Sequence, residues 1–82
     1  MDIIQEENRF FIGNPKEPLA QLSYKIENEK IIINNIEVVS HLKGQGIASD
    51  LLKRLLIFAK ENNYYFDPKF IETTSRINED LL

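Results

Sequence analysis

Few residues of this 82-residue chain have both the type and the spacing for chemistry. The densest group is Lys43, Gly44, Gln45 and Gly46, followed directly by Ile47, Ala48 and Ser49. Two glycines separated by one residue let the backbone turn tightly and let a ligand approach it closely. Where a helix begins at such a place, its first amides have no intrahelical acceptor. Those N–H groups and the positive end of the helix dipole together suit a phosphate or pyrophosphate. Lys43 adds a cation just ahead of the glycines. The second candidate is Glu37, a carboxylate inside the apolar run Ile36-Glu37-Val38-Val39. Buried there, it would have its charged form disfavoured and would accept a proton more readily near neutral pH. On an exposed face, or paired with a lysine across a sheet, it would be an ordinary solvated acid. His41 reads as a loop residue rather than a base. Tyr24, Tyr64 and Tyr65 carry phenols, but no spacing singles one out from core or edge packing.

The elements that must hold these residues follow from hydrophobic periodicity. Ile47, Leu51, Leu55 and Ala59 recur every four residues, with Ala48, Leu52 and Leu56 beside them. That stripe predicts an amphipathic helix from about Gly46 to Asn62, stopped by Asn62 and Asn63. Ahead of it, residues 30–39 are rich in isoleucine and valine and predict a strand. Its period of two breaks at Asn34 and Asn35. Either both faces of the strand are covered, or a bulge reverses inside and outside there. Upstream, Ala20, Leu22, Tyr24 and Ile26 alternate with Gln21, Ser23, Lys25 and Glu27, the pattern of a half-buried antiparallel strand. Glu27-Asn28-Glu29 joins the two as a hairpin loop. Arg9 to Ile12 predicts a short strand, closed by a turn through Gly13, Asn14, Pro15 and Pro18. The first residues either fray or add an edge strand. After the helix, Tyr64 to Asp67 predicts a strand parallel to residues 30–39, ended by Pro68, and residues 70–82 a short helix.

Composition narrows the function classes. Hydrophobic residues at 43% and charged residues at 28% are ordinary for one globular domain, so residues 1–82 read as a single domain. A net charge of −3 argues against broad nucleic-acid binding, which needs a basic face. The absence of cysteine removes disulfides, thiolate zinc sites and a cysteine nucleophile, and a single histidine leaves no histidine-rich metal site. No apolar run approaches the roughly 20 residues of a membrane span, and the N-terminus lacks the basic start of a signal peptide. The expectation is a cytoplasmic protein without membrane or metal.

Known phosphate loops discriminate further. The P-loop needs G-x-x-x-x-G-K-[ST], and no lysine follows these glycines. A dinucleotide-binding loop would draw on Gly44, Gly46 and the acidic Asp67 about 20 positions on. Ser49 at the third glycine place, the antiparallel meander and the short chain all speak against it.

The run Val38-Val39-Ser40-His41-Leu42-Lys43-Gly44-Gln45-Gly46-Ile47-Ala48, with the leucine-paired helix behind it, resembles the acetyl-CoA-binding motif of the GNAT N-acetyltransferase superfamily. That motif has a Q/R-x-x-G-x-G/A core, and His41 stands here in its first place. Size and layout look like the miniature single-domain YjdJ-like group, in which Asn35-Ile36-Glu37-Val38 takes the place of H-T-E-V. The likeness is close over residues 31–63, looser before them and weak after Pro68. Phe70 stands where that group often carries a cysteine. The resemblance implies an α+β fold: a mixed, mostly antiparallel sheet of four or five strands, one main helix and a short C-terminal helix. It implies acetyl-CoA as acetyl donor, its pantetheine arm paired with the backbone of Val38 and Val39. Its pyrophosphate would lie on the loop and first helical turn, Lys43, Gly44, Gln45, Gly46, Ile47, Ala48 and Ser49. The acceptor implied is a primary amine, on a small molecule or a protein, with Glu37 as base. The missing cysteine keeps a second reading in view, a CoA-binding interaction module without transfer activity. A third is a small structural domain that binds no cofactor.

Overall fold

The computed structural model describes residues 2–67. In chain order these form β1 (Ile4–Glu6), β2 (Arg9–Gly13), β3 (Pro18–Glu27), β4 (Lys30–Val38), a 3₁₀ turn (Ser40–Leu42), α1 (Ile47–Asn62) and β5 (Tyr65–Phe66). One sheet runs β1-β2-β3-β4-β5, antiparallel except where β5 pairs parallel to β4. This is the α+β arrangement of five strands and one main helix expected from the sequence. The predicted helix over residues 70–82 lies outside the described residues. Among the described residues, no helix is long and apolar enough to cross a membrane.

Residues 2–8 resolve the choice left at the start of the chain: β1 forms and pairs with β2, and Gln5 donates from Nε2 to the Tyr24 hydroxyl at 3.2 Å. The β3–β4 hairpin turns without glycine, on Asn28 and Glu29 at φ of 50° and 68°. Two successive left-handed residues match the twist of the flanking strands, and asparagine tolerates that region.

The helix packs Ile47, Ala48, Leu51, Leu52, Leu55 and Ala59 against one face of the sheet, where Phe10, Ile12, Ala20, Leu22, Tyr24 and Ile31 complete the core. Leu56 is 40% exposed, at the margin of the stripe. The reason is geometric: at 3.6 residues per turn a row of every fourth residue drifts around the helix, and Leu56 has drifted past the sheet. At its C-terminus α1 closes on Asn63 (φ 59°), whose N–H reaches the carbonyls of Ala59 and Lys60. Left-handed closure of this kind satisfies carbonyls the helix leaves over. Leu55 is fully buried at the centre of this packing. Leu55→Ala should destabilise the domain by about 2–5 kcal/mol through lost transfer energy and a residual cavity. Thermal unfolding should show a Tm lower by on the order of 10 °C or more, as befits a domain this small. A change of only a degree or two would mean that the helix is not packed as described.

The break in period within β4 is a bulge. Ser23 pairs with Asn35 but Tyr24 pairs with Ile33, so Asn34 has no partner on β3. Ile31 and Ile33 before the bulge, and Ile36 and Val38 after it, all pack against the same core. Without the inserted residue, the parity set by Ile31 and Ile33 would carry through to Asn35 and Glu37 and aim both at the helix. The bulge therefore turns Glu37 away from the core.

Candidate functional site

The loop between β4 and α1 is built in three short steps. Val39 donates its N–H to the Leu19 carbonyl at 2.9 Å, extending the β3–β4 pairing by one residue. Its own carbonyl accepts from Leu42 N–H at 3.0 Å, and Lys43 N–H closes on Ser40 at 3.3 Å, which makes the 3₁₀ turn. Leu42 packs against the core and pins that turn from below. Gly44 and Gly46 then adopt φ of 81° and 79°, and Gly46 caps α1, accepting from Asp50 N–H at 3.0 Å. A left-handed backbone at two places in three residues is what glycine permits and other L-residues resist.

This conformation leaves donors over. Among the described residues, no backbone or side-chain acceptor meets the N–H groups of residues 44–49, and no side chain caps the helix. The space above is open, since a Cβ built on Gly44 or on Gly46 would meet nothing within 4 Å. Lys43, Gly44 and Gln45 are exposed and Gly46 and Ser49 half-buried, whereas Ile47 and Ala48 are buried. Thus Ile47 and Ala48 anchor the first turn through their side chains, and only their amides are available. Lys43 makes no ion pair among the described residues. The chemistry of this set fits an anion bearing several oxygens: donors in sequence, a helix dipole behind them and an ammonium beside them.

The adjoining strand edge divides the roles of the two valines. Both polar backbone groups of Val39 are engaged inside the protein. Because hydrogen-bonded and open positions alternate along an antiparallel pair, Val38 directs its N–H and carbonyl to the outer edge of β4. β5 covers that edge only at Lys30 and Ile31, where Asp67 N–H donates to the Ile31 carbonyl at 3.0 Å. Beyond Ile31, no described strand pairs with it.

Glu37 lies on the sheet face opposite the helix and is exposed. The apolar residues flanking it in sequence, Ile36 and Val38, point the other way, into the core. Its Oε1 accepts from Gln21 Nε2 at 2.7 Å and from Asn35 Nδ2 at 2.6 Å. Gln21 in turn accepts from Arg9 Nη1 at 3.1 Å. Sequence reasoning missed Gln21 and Asn35. The alternation of β3 puts Gln21 on a polar face, but only the strand register sets it beside Glu37. His41 is exposed in the 3₁₀ turn. Tyr24 and Tyr64 join an aromatic cluster with Phe10 and Phe58, while Tyr65 is exposed at the sheet edge.

Comparison with known proteins bears on the loop, the helix and most of the sheet together. Curated proteins offer no match to the chain. A family model described as GCN5-related N-acetyl-transferase matches residues 9–69, from β2 to just past β5 and including the glycine loop. With most of its length matched in this way, the chain belongs to the GCN5-related N-acetyltransferase family.

Proposed function

We propose that this protein transfers an acetyl group from acetyl-CoA to a primary amine. The observation that carries the reading is the run of amides at residues 44–49, which meet no acceptor among the described residues and which two left-handed glycines open outward. The pyrophosphate rests on these amides, with Lys43 and Ser49 beside it. The pantetheine arm lies along the outer edge of β4, where Val38 offers its N–H and carbonyl as an added strand would. Val39 holds the turn that presents the loop. Acetyl-CoA supplies an activated thioester. Glu37 receives the proton that the acceptor ammonium must lose before its nitrogen can attack. The C–N bond then forms as the C–S bond breaks, and the second proton leaves nitrogen for the departing sulfur. Glu37 passes its own proton to solvent.

The first test is thermal. Acetyl-CoA and CoA at about 100 times Kd should stabilise the native protein by about 2.7 kcal/mol, seen as a rise in Tm. No shift at millimolar acetyl-CoA would remove the cofactor reading and leave a small structural domain. A shift without turnover of any amine in a panel would favour the CoA-binding interaction module, the reading to which a chain without cysteine already lends weight.

A further inference from the structure

The polar groups on the sheet face opposite α1 form a chain with a direction. Arg9 is anchored three ways: Nη2 donates to the Pro15 carbonyl at 2.9 Å, the guanidinium lies 4.3 Å from the centre of the Phe11 ring, and Nη1 donates to Gln21 Oε1. An arginine has only donors, so the Gln21 amide must turn its oxygen to Arg9 and its nitrogen to Glu37. Asn35, on β4 itself, donates to the same carboxylate oxygen. Both donors therefore converge on Oε1. Oε2 has no protein partner among the described residues, and Glu37 forms no ion pair there. The other cations of this face are engaged elsewhere, Lys25 with Glu27 at 3.2 Å and Lys30 with Asp67 at 3.6 Å.

The result is one exposed carboxylate held by amides from two strands, with one oxygen presented and no cation of the described residues against it. It immediately precedes Val38, whose backbone groups face the outer edge of β4, where no described strand pairs. A carboxylate fixed in this way is complementary to a protonated amine, since a charge-assisted N–H···O⁻ bond is roughly twice as strong as a neutral one. We propose that the face opposite α1 carries the acceptor subsite and takes an alkylammonium group on Glu37 Oε2, with Gln21 and Asn35 as positioning residues and Arg9 orienting Gln21. The subsite deepens the acetyltransferase reading and rests on it for its purpose, but its binding step can be observed without any donor.

The test is an NMR titration of the ¹⁵N-labelled protein with n-butylammonium chloride, against sodium chloride at equal ionic strength and against n-butanol. The side-chain NH₂ signals of Gln21 and Asn35 should shift saturably with n-butylammonium and not with either control. Glu37→Gln should abolish the saturable shift. Gln21→Ala should weaken binding, read at Asn35, by about three- to tenfold, the range expected when one orienting hydrogen bond is lost. Its Tm and its response to CoA at the amides of residues 44–49 should stay as in the wild type. A separate CoA titration reads those amides alone. If CoA moves them while n-butylammonium leaves Gln21 and Asn35 unmoved, the acceptor subsite is wrong and the donor site stands. If n-butylammonium binds and CoA does not, the subsite stands and the donor reading fails. Equal affinity for n-butylammonium in the wild type and Gln21→Ala would overturn the positioning role.

Discussion

Glu37→Gln should slow single-turnover acetyl transfer at neutral pH by at least tenfold, within the roughly 10²–10⁴-fold that a positioned general base contributes. Glutamine preserves the shape of the side chain and can still occupy the place between Gln21 and Asn35, but it cannot take a proton. Acetyl-CoA binding should be intact, because the residue touches neither the loop amides nor the outer edge of β4. The deficit should shrink as pH rises toward about 10.4, the value for an alkyl ammonium such as lysine's, since free amine then reaches the site without help. Following transfer in both proteins across that range separates this outcome from a general loss of activity. Equal rates at every pH would take Glu37 out of the mechanism and assign the proton to solvent. The exposure of Glu37 makes the experiment sharp: its replacement disturbs no core contact, so a folded variant is expected.

Gly46→Val should remove the stabilisation conferred by CoA while leaving a folded domain. The substitution acts in two ways that can be told apart. At φ of 79° any L-residue is strained by about 1–2 kcal/mol, and a β-branched one by more. That strain should lower Tm without ligand, but beyond the chain neighbours no atom of the described residues stands within 4 Å of the new Cβ. The branched side chain then projects into the space above the amides of residues 44–49. Gly46→Ala carries the strain with a smaller obstruction and is the control. Thermal shifts with CoA should be largest for the wild type, reduced for alanine and absent for valine. If the valine variant responds to CoA as the wild type does, the glycines serve only to turn the chain.

Both outcomes depend on features that were unequally legible in the chain. The loop could be read directly, because its chemistry is local: two glycines, a lysine and the start of a periodic helix are all contiguous. The buried row Ile47, Leu51, Leu55 and Ala59 and the alternation of Ala20, Leu22 and Tyr24 were legible for the same reason. A single element imposes a period of 3.6 or 2 on its own side chains, whatever it packs against. Leu56 marks where that reasoning ends, since the width of the stripe depends on how far the sheet extends beneath the helix.

The tertiary structure alone decided the fate of Glu37. In the sequence it sits among isoleucine and valine, and two opposite environments fit it equally well. The bulge at Asn34 selects between them by reversing the parity of β4, and its partner residues are set by pairing with β3, a contact between distant parts of the chain. The same pairing brings Gln21 to Glu37 and separates the duties of Val38 and Val39, none of which any periodicity encodes. The sequence by itself determined that this chain has a glycine loop capping a helix within an α+β domain. Strand register, which depends on non-local hydrogen bonding, determined which face carries the carboxylate and which amides hold it.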